Sequence, residues 1–275
     1  IIGDAKTQKT PELMLRFGEF VHSLGGRYIT AEDIGMVTAD MDLVRTVTPY
    51  VTGISEEIGG AGNPSPITAY GVFMGMKAAA HHAFGSNILE DKVIYVQGIG
   101  NVGEALVESL TNEGAKVYIS DINQERLEEV RDKYSVTIYE GDNIYAEEMD
   151  IYAPCALGAT INDQTLPQLK AKVIAGAANN QLAEENKHGL LLKEKGIVYA
   201  PDFLINAGGI INVYAELENY GKKEIIRKTE NIYNTTLEIL KNADTNGVTT
   251  HQAAFHIAQG RIDARSLKNN KKQLN

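Results

Sequence analysis

The segment that most restricts the fold of this 275-residue chain is a glycine-rich turn between an apolar run and a helical pattern. Val93–Gln97 predicts a buried strand, and it leads directly into G-I-G-N-V-G at 98–103. In this context the first glycine allows a tight turn, the second lets a pyrophosphate approach the backbone, and the third lets the next helix pack closely. That helix directs its first N–H groups and partial positive charge at the phosphates. We therefore expect a dinucleotide site at Gly98, Gly100, Asn101, Val102 and Gly103.

An acidic residue follows the second predicted strand of the same unit. The strand at 117–120 ends next to Asp121. A carboxylate at this strand end accepts hydrogen bonds from the ribose diol and repels a 2′-phosphate, and no Arg or Lys follows immediately. The sequence therefore favours NAD over NADP. Asp121 also suits a helix N-cap, a role that can coexist with ribose binding.

Strands and helices alternate through the middle of the chain. The predicted strands lie at 93–97, 117–120, 136–139, 150–153, 172–175 and 197–200, and helices are predicted at 101–113 and 124–134. This alternation is typical of a parallel sheet covered by helices, so we expect an α/β fold with a doubly wound, Rossmann-type sheet. From about residue 210 the pattern is helical, at 210–219, 222–244 and 248–267.

The first part of the chain has a different pattern. Ile1-Ile2 looks like the end of a buried strand, which suggests that residues precede it. A helix is predicted over 11–24 with Thr10 as N-cap, and a short strand over 27–30. Residues 53–66, rich in Gly, Ser and Pro, predict a long loop and a candidate domain boundary, followed by a helix over 68–83.

Charge and cysteine content narrow the class of protein. A net charge of −10 argues against nucleic acid or an anionic membrane as the main partner. No apolar run is long enough to span a bilayer. The single cysteine, Cys155, excludes an internal disulfide and fits a reducing cytoplasm, with packing as its first interpretation. No Cys/His cluster has metal-ligand spacing, so we expect no metal.

Two polar segments follow predicted strands and are open to two interpretations each. Glu32 and Asp33 follow the strand at 27–30, and they are either solvated turn acids or include a proton carrier. The A-G-A-A-N-N segment at 175–180 is either a plain turn or a close-approach loop whose two amides bind a ligand.

Long motifs extend this pattern over essentially the whole chain. They are G-R-Y-I-T-A-E-D-I-G at 26–35, Y-V-T-G-I-S at 50–55, G-N-P-S-P-I-T-A-Y-G at 62–71, V-Q-G-I-G-N-V-G at 96–103, D-I-Y-A-P-C-A-L-G-A-T-I-N-D at 150–163, V-I-A-G-A-A-N-N-Q-L at 173–182 and I-V-Y-A-P-D-F-L-I-N-A-G-G-I-I-N-V at 197–213. With these motifs the chain resembles the amino-acid dehydrogenases of the glutamate, leucine, phenylalanine and valine group, and within it most closely the branch that acts on leucine.

The resemblance implies a role for each matching residue. Asp33 would shuttle protons between amine, imine and keto acid, and Thr68 would hold the nicotinamide carboxamide. Asn179 and Asn180 would lie near the nicotinamide ribose and the reacting carbon. The cofactor groove would be lined by Ala153, Cys155 and Ala156, and the substrate side-chain pocket by Ala31, Ile210 and Val213.

The implied activity is reversible, NAD-dependent deamination of branched-chain L-amino acids. The pocket positions are small and aliphatic, with no Lys or Ser for a γ-carboxylate, which disfavours glutamate but leaves leucine, isoleucine and valine unseparated. A valine- or phenylalanine-preferring enzyme stays open as an alternative. The resemblance also implies a homo-oligomer, an octamer in this group.

The match departs from the group at one point. Two essential lysines of the family's N-terminal segment have no counterpart here, so we expect a chain that begins inside the substrate domain. The expected divisions are a substrate-domain remnant at 1–55, a NAD-binding domain at 56–209, and C-terminal helices at 210–275 that return towards the substrate domain. A non-catalytic NAD-binding or oligomerisation fragment therefore remains the second interpretation.

Overall fold

The computed structural model describes residues 3–33 and 35–273, with the backbone alone described at 5, 6 and 267–273. The strand end predicted at Ile1-Ile2 lies outside the described residues. The chain divides into two compact units. Unit 1 comprises Ile1–Ile67 and Gly208–Thr229, and unit 2 comprises Thr68–Ala207 and Glu230–Asn275.

The regular elements occur in the alternation that the sequence predicts for unit 2. The helices are α1 (Ala5–Gln8), α2 (Pro11–Ser23), α3 (Thr38–Arg45), α4 (Ser65–Phe84), α5 (Asn101–Asn112), α6 (Gln124–Tyr134), α7 (Glu185–Glu194), α8 (Asp202–Ile205), α9 (Gly208–Glu218), α10 (Lys222–Asn246) and α11 (Thr250–Gln273). The strands are β1 (Val93–Gln97), β2 (Lys116–Ser120), β3 (Thr137–Ile138), β4 (Ile151–Pro154), β5 (Val173–Ile174) and β6 (Val198–Tyr199). None of the described helices is long and apolar enough to cross a lipid bilayer.

A six-stranded parallel sheet forms the centre of unit 2. Its strand order is β3-β2-β1-β4-β5-β6, and every neighbouring pair is parallel. This is the doubly wound order in which the direction of winding reverses between β1 and β4, and ligands bind at the carboxyl ends of the strands beside that point. The predicted α/β, Rossmann-type class is confirmed.

Apolar side chains bury the sheet from its first strand onward. Ile94 and Val96 of β1 are fully buried, and so is Ile151 of the neighbouring strand β4. A cluster that includes Tyr95 and Tyr152 continues this core, and Tyr95 stacks on Tyr118 with ring centroids 4.6 Å apart. Strands that are buried on both faces appear in the sequence as nearly continuous apolar runs. This is why the sequence alone predicts the strand at Val93–Gln97.

Unit 1 has a core of its own around α2 and α3. Met14 of α2 and Met41 and Val44 of α3 are buried there, together with Val51 and Ile54. The predicted N-cap is confirmed, because the Thr10 side chain accepts a hydrogen bond from the Leu13 N–H at 3.2 Å.

The strand predicted at 27–30 is wrong in extent. Only Thr30 pairs, in a single parallel bridge with Val51, through hydrogen bonds of Thr30 N–H to Tyr50 and of Thr52 N–H to Thr30. Tyr28 and Ile29 are 49% and 39% exposed, so this segment lacks the burial that an extended strand pairing would give it.

Candidate active site

The glycine turn follows β1 and has the geometry that the G-x-G-x-x-G motif of dinucleotide-binding sites requires. Gly98 has φ +99°, and a Cβ placed on it would lie 2.5 Å from the backbone nitrogen of Ala156. A Cβ on Gly103 would lie 2.1 Å from the carbonyl oxygen of Gly98, so α5 packs directly on the turn. At Gly100, by contrast, no atom of the described residues, apart from its two chain neighbours, lies within 4 Å of the Cβ position. The turn is thus closed on the protein side at two glycines and open to a ligand at the third.

The first turn of α5 supplies hydrogen-bond donors to that open side. Asn101 and Val102 are its first two residues, and the N-cap Gly100 has no side chain that could satisfy their N–H groups. The first N–H groups of a helix have no intrahelical acceptor, so they are available to an anion.

Asp121 lies beside this turn at the end of β2. One of its carboxylate oxygens accepts the Ile99 N–H at 2.6 Å, and the other accepts the Asn123 N–H at 2.9 Å. These bonds orient the carboxylate, and each oxygen retains a lone pair for a ribose hydroxyl. The alternative role of Asp121 as an N-cap is wrong, because Asn123 caps α6 by accepting the Arg126 N–H.

The end of β4 and the residues that follow it pack against the glycine turn. Ala153 is fully buried, the Cys155 N–H donates to Gln97 at 2.7 Å, and the backbone of Ala156 contacts Gly98. Burial raises the pKa of the Cys155 thiol to about 12, although its sulfur accepts the Ala177 N–H at 3.4 Å. A thiol of this pKa stays protonated at neutral pH, which agrees with a packing role.

The loop after β5 carries the two predicted asparagines. Asn179 and Asn180 are both exposed, and Asn180 adopts a left-handed conformation with φ 54°. Asn206, which follows α8, donates to the Asn179 side-chain oxygen at 2.6 Å and to the Ala177 carbonyl at 3.2 Å. Asn206 was not among the residues predicted for the site, although it lies within the matching motif at 197–213.

Buried polar side chains stabilise this asparagine loop through hydrogen bonds to its backbone. Gln181 is fully buried, and its side-chain amide donates to the carbonyls of Gly176 and Ala178 at 2.8 and 2.9 Å. The buried Asp202 accepts the Gln181 backbone N–H at 3.0 Å. Sequence reasoning missed both, although Gln181 lies within the matching motif at 173–182 and Asp202 within the one at 197–213.

Unit 1 carries the predicted proton carrier and the pocket residues. Asp33 is exposed, whereas its neighbour Glu32 accepts a hydrogen bond from the Thr38 hydroxyl at 3.1 Å. Burial raises the pKa of Glu32. The two adjacent carboxylates therefore have different environments, with Glu32 engaged inside the unit and Asp33 at its surface.

Val213 and the segment that contains Ala31 lie beside Gly53. A Cβ on Gly53 would lie 3.6 Å from the backbone nitrogen of Glu32, the residue after Ala31, and 3.8 Å from Cγ1 of Val213. Val213 is buried on α9, whereas Ile210, one turn earlier, is 65% exposed. The structure thus brings the Ala31 segment and Val213 to one place.

Glu216 anchors the same region and was also missed. One of its carboxylate oxygens accepts the N–H groups of Gly53 and Ala61, both at 2.8 Å. Burial raises the pKa of Glu216 although these backbone donors lower it.

Thr68, the remaining predicted cofactor contact, is half-buried in the first turn of α4.

One group of side chains elsewhere in unit 2 has metal-ligand composition. Asp163, Glu184 and His188 place ligand atoms within 4.8 Å of one another. The ammonium of Lys187 lies 2.7 Å from Asp163 and 3.4 Å from Glu184, and the Nδ1 of His188 accepts the Glu184 N–H. A cation already occupies the charge-balancing position, so the absence of a metal stays our prediction.

Comparison with known proteins identifies the family. A sequence profile described as Glutamate/Leucine/Phenylalanine/Valine dehydrogenase matches residues 59–123 and 118–269. The chain belongs to this family. The expectation of a dehydrogenase is therefore confirmed, and the alternative of a non-catalytic fragment is not favoured.

Relatives within the Glutamate/Leucine/Phenylalanine/Valine dehydrogenase family bear different substrate names. The chain is 50% identical over 271 residues to a leucine dehydrogenase of Bacillus cereus, covering 98% of this chain and 73% of the relative. It is 45% identical to a phenylalanine dehydrogenase of Bacillus thermotolerans, covering 98% and 72%. A solved L-tryptophan dehydrogenase of Nostoc punctiforme is 41% identical with a TM-score of 0.79, over 96% of this chain and 75% of the other.

Proposed function

We propose that this chain catalyses the reversible, NAD-dependent oxidative deamination of L-leucine and other branched-chain L-amino acids to 2-oxo acids. The observation that carries this proposal is the glycine turn, open at Gly100 and backed by Asp121, in a member of an amino-acid dehydrogenase family. The 50% identity to a leucine dehydrogenase supports the branched-chain substrate.

The described residues fit a dinucleotide in three respects. Gly100 leaves room for a pyrophosphate, the first turn of α5 offers N–H donors, and Asp121 offers oriented acceptors for a ribose diol. A carboxylate at that position repels a 2′-phosphate, which supports NAD over NADP. When bound, NAD+ accepts the hydride that leaves Cα of the amino acid.

We assign proton transfer to Asp33. Loss of the hydride gives an iminium ion, which water attacks to release ammonia and the 2-oxo acid. These steps move protons on and off nitrogen and oxygen, and an exposed carboxylate exchanges protons readily with substrate. Glu32 is a poorer candidate because it is held by Thr38 inside unit 1.

The remaining predicted residues bind and orient. Asn179, positioned by Asn206, and Thr68 are assigned to the nicotinamide end, and Ala153, Cys155 and Ala156 to the groove beside the glycine turn. Asn180 is assigned to the substrate. Ala31, Ile210 and Val213 supply an aliphatic surface with no charge for a γ-carboxylate, which supports leucine over glutamate.

The test is NADH formation followed at 340 nm with L-leucine, isoleucine, valine, phenylalanine and glutamate, with NAD and NADP compared. We expect the highest kcat/KM with leucine and NAD. A preference for valine or phenylalanine would replace the proposed substrate, and a preference for NADP would overturn the proposed cofactor.

Substitution of Asp33 tests the proton carrier. We expect Asp33→Asn to lower kcat by about 10²–10⁴-fold, the range for loss of a general acid–base group, with unchanged NADH affinity. Glu32→Gln is the matched control, because it removes the adjacent charge, and its kcat should stay within about tenfold of the parent. Equal losses in the two variants, or undiminished turnover in Asp33→Asn, would contradict the assignment.

We also infer a homo-oligomer, for which the resemblance implies an octamer. Leu13 and Phe20 of α2 are 39% and 61% exposed, and apolar surface of this kind is typical of subunit contacts. Analytical ultracentrifugation measures the assembly directly, and a monomer at micromolar concentration would contradict the inference.

A further inference from the structure

A partly buried charge cluster lies next to the glycine turn and has no role in the function proposed so far. Its centre is Glu104, in the first turn of α5, with a side chain only 16% exposed. Its carboxylate pairs with Arg126, accepts from Lys133 at 2.9 Å and accepts from the Tyr134 hydroxyl at 3.3 Å.

A carboxylate is an unexpected neighbour for a phosphate-binding helix end. Burial acts to raise the pKa of Glu104, but the hydrogen bond from Lys133 and the charge of Arg126 outweigh it and lower the pKa. Glu104 is therefore ionised at neutral pH. The two cations neutralise a charge that would otherwise repel an anion at the start of α5.

Arg126 connects this cluster to the predicted ribose site. Its Nε donates to the Ile99 carbonyl at 3.3 Å, and the N–H of the same Ile99 donates to Asp121 at 2.6 Å. Since both side chains contact one residue, the guanidinium lies within about 9 Å of the carboxylate, by standard backbone dimensions. In NADP-binding sites, an arginine near the strand end that faces the ribose binds the 2′-phosphate. Arg126 lies in a comparable place.

Carboxylates hold the two terminal nitrogens of that guanidinium. One terminal nitrogen binds Glu104, and the other binds Glu129 at 2.9 Å. Glu129 is 58% exposed and its pair is screened by water, whereas Glu104 is mostly buried. Glu104 is therefore the less water-screened of the two carboxylate partners of Arg126.

We propose that Glu104 is a second determinant of the choice between NAD and NADP, because it binds Arg126 and keeps the guanidinium from pairing with a 2′-phosphate. The proposal rests on the proposed cofactor site. Asp121 repels the 2′-phosphate directly. Glu104 acts indirectly, because it binds Arg126, the cation that contacts Ile99 beside the glycine turn. Discrimination against NADP is then shared by two carboxylates on different elements.

A purely structural role for the ion pair makes a different prediction. If Glu104 and Arg126 only join α5 to α6, their loss changes stability and weakens every dinucleotide equally. If Glu104 sets specificity, its loss changes the ratio of affinities for ligands with and without a 2′-phosphate. The ratio is the quantity to measure.

The experiment uses ADP-ribose and 2′-phospho-ADP-ribose as probes, with dissociation constants from isothermal titration calorimetry on the full chain. These ligands lack nicotinamide, so turnover plays no part in the readout. Glu104→Gln keeps the side-chain size and removes the charge that binds Arg126. The matched control is Glu108→Gln, which removes one negative charge from an exposed position on the same helix.

We expect Glu104→Gln to shift the affinity ratio towards 2′-phospho-ADP-ribose by about fivefold relative to Glu108→Gln, as one partly exposed charge pair would. The gain should disappear in Glu104→Gln/Arg126→Gln, because the guanidinium is its source. In an Asp121→Ser background the gain should be larger, since the direct repulsion is gone.

An unchanged ratio in Glu104→Gln with normal ADP-ribose binding would overturn the inference alone. A gain that persists without Arg126 would overturn it as well. Failure of the parent chain to bind ADP-ribose would refute the proposed cofactor site itself, and this inference with it. Circular dichroism melts of each variant identify any loss that comes from unfolding.

Discussion

Alanine at two neighbouring glycines of the turn should separate folding from cofactor binding. At Gly100 the backbone has φ −73°, which alanine adopts readily, and the Cβ position is open. Alanine lowers the entropy of the unfolded chain, worth about 0.4–1 kcal/mol, but it is a poorer N-cap than glycine by a similar amount. We therefore expect the free energy of unfolding of Gly100→Ala to stay within about 1 kcal/mol of the parent.

Gly98→Ala should behave differently. Its φ of +99° is strained for alanine, at about 1–3 kcal/mol, and its Cβ would lie 2.5 Å from the Ala156 nitrogen. Because that neighbour is backbone, the turn or β4 must move, which adds about 1–3 kcal/mol. The expected destabilisation of about 2–6 kcal/mol lowers the melting temperature by roughly 2–4 °C per kcal/mol.

Both variants should lose NADH affinity. In Gly98→Ala the cause is the movement of the turn or of β4. In Gly100→Ala the new methyl group occupies the space through which a pyrophosphate reaches the α5 N–H groups, and losing one charge-assisted hydrogen bond costs roughly 10–100-fold in Kd. Thermal melts followed by circular dichroism, and calorimetric titration with NADH, measure the two effects separately. A Gly100→Ala protein that binds NADH within twofold of the parent would refute the assignment of the open face to the pyrophosphate.

Two further predictions follow from half-buried titratable groups, Cys155 and Glu216. With the pKa of its thiol at about 12, Cys155 should react with a disulfide reagent at pH 8 about 10³-fold more slowly in the folded chain than after unfolding, and equal rates would contradict its burial. The raised pKa of Glu216 means that its contribution to stability is full below 4.5 and is lost as the pH rises through the folded value, so Glu216→Gln should flatten the dependence of melting temperature on pH above 4.5. Glu216→Ala, the control, leaves the Gly53 and Ala61 N–H groups without their acceptor and should cost about 1–3 kcal/mol, and an unchanged pH dependence in Glu216→Gln would contradict the reasoning.

The centre of the Rossmann-type unit was predictable because its signals are local. The predicted strand at 93–97 coincides with β1, and the predicted helix at 124–134 coincides with α6. The outer strands were predicted too long: β3, β5 and β6 each pair over two residues, against four predicted. An apolar run in the sequence can extend beyond the residues that have a neighbouring strand to pair with. The length of a paired strand therefore depends on its neighbours in the sheet.

Four helices were not predicted, the four-residue α1 and α8 and the longer α3 and α7, and the two longer ones carry a weak pattern in their sequences. The α3 segment T-A-D-M-D-L-V-R has two buried residues, Met41 and Val44, among polar neighbours. The α7 segment E-N-K-H-G-L-L-L-K-E contains an internal glycine, and its buried His188 looks polar in the sequence. Tertiary burial stabilises both helices, and a local pattern does not record it.

The supporting residues of the site were beyond local reasoning for a different reason. Glu216 is more than 150 positions from the Gly53 and Ala61 N–H groups that it binds, and Arg126 reaches Ile99 across 27 positions. Motif spacing identifies residues near the ligand, but it carries no information about which distant side chain orients them. The Arg126–Ile99 contact depends on the strand order, which brings the ends of β1 and β2 together, whereas the Glu216 contacts depend on how α9 packs within unit 1.

The contact between Asn206 and Asn179 shows what a distant side chain adds to the chemistry of the site. The Ala177 carbonyl can only accept a hydrogen bond, so Asn206 must turn its side-chain nitrogen towards it. The same nitrogen lies 2.6 Å from the side chain of Asn179, which must therefore present its oxygen. This leaves the amide N–H groups of Asn179 free of Asn206, so in the proposed site they would donate to an acceptor on the cofactor, such as a carboxamide or hydroxyl oxygen. The A-N-N motif alone could not have fixed that polarity.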